Sequence, residues 1–388
     1  MKLAERMGRL GTETAFEVLA KAKRLEAEGR NIIHLEIGEP DFDTPGNIIE
    51  AGTNALKSGY THYGPSPGLN EARASIAKEI ATTRNIPVIG DNVVITPGGK
   101  PIMFFAILAL VDEGDEVLYP NPGFPIYESM INFVGGVPVP MKLLAERDFA
   151  VNVEEVASQI TPRTKMMVIN SPNNPCGSIV EKDDLEALAN LAREHDLVVL
   201  SDEIYGEIAF DQEHISALPL DTDERAVIIS GMSKAYAMTG FRVGLTRASA
   251  AYVDLATKLQ EPFISCGVGF AQLAAAEALD GPQDAVREMR DHYKERRDVA
   301  LDVLHQYDLY RYTPGGAFYL LVDISATGMD SRDFSLQLLE EKKVAVAPGN
   351  TFGAMCSDHI RISIASTTEN IREGLHRICT MIREKTPQ

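Results

Sequence analysis

Metal-type cysteine spacing is missing from this chain. Cys176, Cys266, Cys356 and Cys379 lie far apart, with no CxxC pair among them. No metal site and no disulfide framework are expected, and a reducing, cytoplasmic setting is. Positive charge is also short: 37 lysines and arginines stand against 56 aspartates and glutamates, a formal net charge of −19. That balance argues against nucleic acid and anionic membrane as partners, while a small anion can still bind in a locally basic pocket. Long apolar runs are lacking as well. The longest, residues 101–111, is about half of what a membrane span needs. The chain is charged from its second residue with no apolar stretch behind, so no secretory leader is expected. Neither an internal repeat nor a low-complexity tract is present.

What is present is an ordinary globular composition of 388 residues, 45% hydrophobic and 24% charged. Such a length suggests two domains, at least one of them large. The rest of the chain is organised around Ser230-Gly-Met-Ser-Lys234-Ala-Tyr-Ala-Met-Thr-Gly-Phe-Arg242-Val-Gly244. It follows Ala226-Val-Ile-Ile229, an apolar β-branched run typical of a buried strand. A lysine confined among small and apolar groups loses proton affinity, and its amine can condense with an aldehyde. Arg242 supplies a planar fork suited to a phosphate. An aldehyde that carries a phosphate is pyridoxal 5′-phosphate. The plain alternative is a solvated loop with two unrelated cations. The block resembles the cofactor-lysine signature of the class I/II aminotransferases, the fold-type I pyridoxal-phosphate enzymes, written SK-x(3)-x-TG-x-R-x-G.

Other segments resemble that family's motifs in the family's order. Gly38-Glu-Pro-Asp-Phe-Asp-Thr-Pro45 is a turn after a strand-like stretch at 31–37, and a helix is expected from Thr12 to Gly29 before it. The resemblance brings the Gly38 backbone to the substrate carboxylate. Tyr60-Thr-His-Tyr63-Gly-Pro-Ser-Pro-Gly68 opens a helix near Leu69. By the resemblance Tyr63 reaches across a dimer interface to the neighbouring subunit's phosphate; by its chemistry alone it is equally an interface or core tyrosine. Thr96-Pro-Gly98-Gly99-Lys100 joins a strand at 93–95 to an apolar helix from Pro101. Two glycines there let N–H groups face an anion at the helix N-terminus, although the spacing is neither a P-loop nor GxGxxG. The resemblance makes Gly98, Gly99 and Lys100 part of a phosphate cup. Phe124, after a strand at 116–119, by the resemblance stacks on the cofactor ring; by itself it equally anchors a helix start.

Asn170-Ser-Pro-Asn-Asn174-Pro-Cys-Gly177 ends a strand at 165–169 and is similar to N-x-P-x-NP-[TS]-G, which gives Asn174 a bond to the cofactor's ring hydroxyl. Cys176 departs from the usual Thr or Ser and removes any hydroxyl bond there. Ser201-Asp202-Glu-Ile-Tyr205 ends another apolar strand. A carboxylate in that place can pair with a protonated pyridine nitrogen, or it can cap a helix. The resemblance assigns pyridine pairing to Asp202 and a ring-oxygen contact to Tyr205. By the resemblance Ser233 joins Gly98, Gly99 and Arg242 as a phosphate ligand. His359-Ile-Arg361-Ile-Ser-Ile364 alternates polar and apolar residues, which suggests a strand with one wet face. Arg361 is either a surface ion pair or, by the resemblance, the clamp for the substrate α-carboxylate.

Alternating strands and helices over residues 46–282 give an α/β domain with a mostly parallel sheet. A helix from Ser249 to about Leu259 is expected there, followed by a loop at 261–269. The resemblance implies a smaller α+β domain from residues 1–45 and 283–388, linked by a long helix at 286–306, with strands at 315–322 and 344–347. It further implies a homodimer with shared active sites, in which Lys234 holds the cofactor. An L-amino acid then passes its amino group to a 2-oxo acid in ping-pong fashion. A C–S lyase or other elimination enzyme is the alternative on the same fold. A cofactor-binding regulator would need a basic DNA-binding domain, for which residues before Gly38 leave no room. For the donor, the apolar residues 104–110 and the cation-free loop 261–269 favour neutral side chains, unless Arg9 or a partner subunit brings a second cation.

Overall fold

The computed structural model describes residues 3–11 and 15–387. Seven strands form the main sheet: β1 Val93–Thr96, β2 Glu116–Asn121, β3 Val137–Lys142, β4 Thr164–Asn170, β5 Val198–Asp202, β6 Ala226–Gly231 and β7 Gly244–Arg247. Their order is β1-β7-β6-β5-β4-β2-β3. Only β7 runs against its neighbours, so the sheet is mostly parallel, as expected. Two-residue periodicity sends successive side chains to opposite faces. Leu118, Met167, Val199 and Ile228 pack with Ile76 and Ala274 on one side. Val117, Met166, Leu200 and Val227 pack with Ile102 and Met130 on the other. Each such side chain contributes about 1.5–3 kcal/mol by leaving water, and helices cover both faces.

A second sheet is antiparallel: β8 Tyr319–Asp323, β9 Ala347–Pro348 and β10 His359–Ser363, in the order β9-β10-β8. Leu320, Val322, Ile360 and Ile362 pack there against Val303 of the Asp284–Gln306 helix and Ile378 of the Thr368–Lys385 helix. The chain's two ends meet where Ile33–His34 pairs in parallel with Val344–Ala345. Among the described residues, no helix is long and apolar enough to cross a membrane.

Several expectations are corrected. β10 has no wet face: all five of its residues are buried, because its polar side chains find partners inside. His359 Nδ1 lies 2.7 Å from Asp358 Oδ1, Ser363 Oγ accepts from the Ala365 N–H at 3.2 Å, and Arg361 is held as described below. The helix capped by Ser249 runs Ala250–Ile264, through Pro262 and into the expected loop. Its last turn sets Phe263 edge-on to Phe104, with ring centres 5.7 Å apart. β3 was not expected, since Pro138 and Pro140 lack ladder donors. It is the edge strand, where proline is tolerated. The expected strand at 344–347 is split between two sheets, and the one at 315–322 begins only at Tyr319. Gly315 and Gly316 instead donate to Gly177 O at 2.9 and 3.0 Å. Of residues 31–37 only Ile33–His34 is strand. The first long helix is described as Ala15–Ala27; its expected start at Thr12 lies outside the described residues.

Candidate active site

All strands of the main sheet except β7 finish along one edge, where ligands of parallel sheets bind. A cavity of about 400 Å3 lies there, bordered by strand ends, by the segment 36–39 and by Tyr319, Phe352 and Arg361 of the second sheet's region.

Lys234 sits in the short helix Met232–Ala235 directly after β6. Its Nζ donates to Gly38 O at 2.6 Å and stands 5.8 Å from the centre of the Phe318 ring. Burial pushes its pKa down to about 8; Glu39 opposes this, and Arg361, Arg242 and Lys100 lower it further. The amine is therefore within reach of its neutral, nucleophilic form near neutral pH. Gly38 is required by close approach, because the Tyr319 hydroxyl occupies the place of a Cβ.

Asp202 ends β5 and is 2% exposed. The Tyr127 hydroxyl donates to Oδ2 at 2.6 Å and the Ile204 N–H to Oδ1 at 3.2 Å. Burial raises its pKa to about 6, against those two bonds, and the neighbouring Glu203 adds to the rise. A turn and no helix follows, which disposes of the helix-cap alternative. Tyr205, in that turn, has its hydroxyl 2.9 Å from the Tyr319 hydroxyl.

Arg361 comes from β10 and is 5% exposed. Its Nη2 donates to Glu36 O at 2.6 Å and its Nη1 to Asn174 Oδ1 at 3.2 Å. Its guanidinium carbon lies 4.3 Å from the Tyr319 ring centre and 4.6 Å from that of Phe352. Among the described residues no carboxylate pairs with it, and its Nε has no partner. A fixed guanidinium with a spare buried donor is suited to an incoming carboxylate. Asn174 is itself held by its N–H on Asn170 Oδ1 at 2.9 Å. Cys176, fully buried, keeps this turn through its N–H on Asn173 Oδ1 at 3.1 Å, without a hydroxyl.

At the other end of the cavity, lined by Gly99 and Arg242, Gly98 lies just behind the lining; it adopts φ +87°, and the Arg242 guanidinium occupies the place of its Cβ. Gly99 then begins the Lys100–Leu110 helix with no side-chain cap on its first N–H groups, which leaves an anion site at the helix N-terminus. Ser233, Lys100 and Phe124 border the same cavity, with Lys100 Nζ 5.5 Å from the Phe124 ring centre. Tyr63 does not border it; that side chain is 91% exposed. The sequence reading missed Tyr127, Tyr319, Glu36 and Phe352. Tyr127 stands in the same Pro-rich loop as Phe124, but nothing local points it at Asp202. Tyr319 follows Gly315-Gly-Ala-Phe, which reads only as a strand.

The donor set fits pyridoxal 5′-phosphate: an amine for its aldehyde, a glycine and arginine cup for its phosphate, a buried carboxylate for its ring nitrogen. The arrangement also leaves Arg361 for a carboxylate of a second molecule.

Comparison with known proteins agrees. The family model described as aminotransferase class I and II matches residues 30–378. An aspartate aminotransferase of Pyrococcus abyssi is 40% identical over 361 residues, 92% of this chain and 93% of that protein. Aromatic-amino-acid aminotransferase 2 of Thermococcus litoralis is 36% identical over 390 residues, 99% of each. Among solved structures, the aspartate aminotransferase from Thermus thermophilus with maleate superposes with a TM-score of 0.94 at 36% identity, covering 98% of this chain and 99% of that one.

Proposed function

Since this chain belongs to the class I and II aminotransferase family, whose members use pyridoxal 5′-phosphate, we propose that its cavity binds that cofactor and divides the work of amino transfer among the residues below. The observation that carries the assignment is Lys234, a buried amine with its pKa brought to about 8, set between the Gly98–Arg242 cup and Arg361. When bound, the cofactor supplies an electron sink for the substrate α-carbon. Gly98, Gly99, Ser233 and Arg242 hold the phosphate, with Lys100 beside them. Asp202 pairs with the protonated ring nitrogen, Tyr205 and Asn174 contact the ring oxygen, and Phe124 stacks on the ring. Arg361 takes the α-carboxylate and so presents the Cα hydrogen to Lys234, whose Nζ removes that proton and later returns one. With the cofactor as the temporary carrier of the amino group and water as the source of the carbonyl oxygen, the amino acid would depart as a 2-oxo acid, and a second 2-oxo acid would receive the amino group and release water.

Residues 46–282 are proposed as the large cofactor-binding domain, and 1–45 with 283–388 as the small one. The main sheet, within 93–247, and the Ile33–His34 pairing with Val344–Ala345 support that division. Four free cysteines, three of them buried, support a cytoplasmic setting. For the donor we favour neutral side chains, on the apolar Ile37, Met103, Phe124 and Phe352 that line the cavity; the 104–110 stretch does not line it. The rival is a dicarboxylic donor, favoured by Lys100 at the cavity wall and by the maleate carried by the Thermus relative.

Borohydride treatment of the protein with its cofactor should fix the label to the peptide containing Lys234, and an amino acid alone should release one equivalent of 2-oxo acid. A label on another lysine, or continuous pyruvate and ammonia without an acceptor, refutes the reading. The ratio of kcat/KM for phenylalanine and aspartate decides the donor: a hundredfold preference for aspartate, about 2.7 kcal/mol, would establish the acidic one.

A further inference from the structure

The residue after Asp202, Glu203, is 3% exposed and does not border the cavity. Its Oε1 accepts from Ser201 Oγ at 3.0 Å, Ser216 Oγ at 2.9 Å and the Ala217 N–H at 3.0 Å. Its Oε2 lies 3.4 Å from His214 Nε2 and 3.6 Å from Arg84 Nη2. Its own N–H donates to Ile229 O at 2.8 Å, and its C=O accepts from the Gly206 N–H at 2.9 Å. Glu203 thus ties the Asp202–Tyr205 turn to β6 through its backbone N–H, and through its carboxylate to the 214–217 segment and the end of the Asn70–Arg84 helix. Burial disfavours its charge, but His214, Arg84 and Ser216 bring its pKa down to about 2. Around this group, Glu79 Oε1 lies 3.8 Å from Arg84 Nη1, Glu207 faces Glu79, and Arg290 borders the hollow outside. Asp202 itself is faced by Tyr127, Tyr205 and Glu203.

We propose that Glu203 is a positioning residue for amino transfer: anchored by Arg84 and His214, it fixes the Asp202–Tyr205 turn from outside the cavity and raises the pH at which Asp202 becomes an anion. The inference rests on the pairing of Asp202 with the cofactor's ring nitrogen. A charged neighbour resists a second negative charge on Asp202. Neutralising Glu203 therefore lets Asp202 ionise at lower pH. Removing Arg84 leaves the Glu203 charge less compensated, and Asp202 then stays protonated to higher pH.

The test is binding of pyridoxamine 5′-phosphate to the cofactor-free full-length protein, titrated through the acid range for wild type, E203Q, R84Q and D202N. The acid limb of binding should move down by about one pH unit in E203Q, a tenfold change in proton affinity, and up by about half a unit in R84Q. A purely structural role would weaken binding or lower the melting temperature without opposite shifts of the limb. Limbs that stay put, or move in one direction in both variants, overturn the proposal. If E203Q does not fold, R84Q decides alone: an upward shift supports the proposal, and anything else overturns it. D202N should abolish the limb. If it keeps the limb, the Asp202 pairing has failed and the Glu203 proposal falls with it; a limb lost in D202N but unmoved in the other two overturns the Glu203 proposal alone.

Discussion

Lys234 carries its amine 2.6 Å from the Gly38 carbonyl, in a site that burial makes hostile to charge. In the unfolded chain the amine keeps its ordinary pKa of 10.5, and in the folded cofactor-free protein it has about 8. The unfolded state therefore binds the proton more tightly, and the folded state loses stability as pH falls from 10.5 through 8. Below that window the loss is about 3 kcal/mol. Lys234→Met should remove it, while giving up one hydrogen bond of about 1 kcal/mol. The variant should then be more stable than wild type by about 2 kcal/mol at neutral pH in urea unfolding of the cofactor-free protein. The advantage should shrink above pH 8 and have reversed by pH 10.5. A stability difference that ignores pH would show that the lysine is not strained by burial. The same variant should accept no borohydride-fixed cofactor.

Gly98 shows how an element rather than a side chain builds the cup. β1 ends at Thr96, whose Oγ1 donates to Gly98 O at 2.7 Å, and the chain turns through φ +87° into the Lys100–Leu110 helix with Arg242 packed where a Cβ would lie. Gly98→Ala forces a left-handed backbone on a residue with a Cβ and displaces the guanidinium. Folding stability should fall by about 1–3 kcal/mol, and affinity for pyridoxamine 5′-phosphate by tenfold or more; unchanged affinity would mean that Arg242 does not serve this cup. The strands that carry the site were legible because each is a short apolar run ending in polar residues, and β4, β5 and β6 lie within one or two residues of their expected ends. Less legible were elements whose signal is tertiary. β10 alternates like a half-wet strand, yet it is buried: Arg361 reaches Asn174 and Glu36 far along the chain, while His359 and Ser363 bond to Asp358 and Ala365 beside them. β3 holds two prolines that only an edge position excuses. Tyr127 and Tyr319 reach Asp202, Gly38 and Tyr205 across long sequence separations, which no local pattern records.

At the scale of the whole molecule, apolar side chains stand exposed around the Tyr63 loop. Tyr63 is 91% exposed, and Tyr60, Phe263 and Val268 are exposed with it. The Gly64 N–H donates to Cys266 Sγ at 3.4 Å, so the Tyr63 loop and the 265–268 loop form one surface. A second copy of the chain, covering that surface and bringing its Tyr63 to the neighbouring cup, is the assembly we propose. Light scattering should then give twice the mass of the chain, 42.4 kDa. Complementation tests the sharing itself. Tyr63→Ala and Lys234→Ala are each expected to be severely impaired as homodimers. In a heterodimer one site combines both substitutions, while the other keeps Lys234 from one chain and receives an intact Tyr63 from its partner. Mixed dimers should therefore recover one working site of two. If Tyr63 served its own subunit, each site of the heterodimer would retain one defect, and verified heterodimers would stay as impaired as their parents.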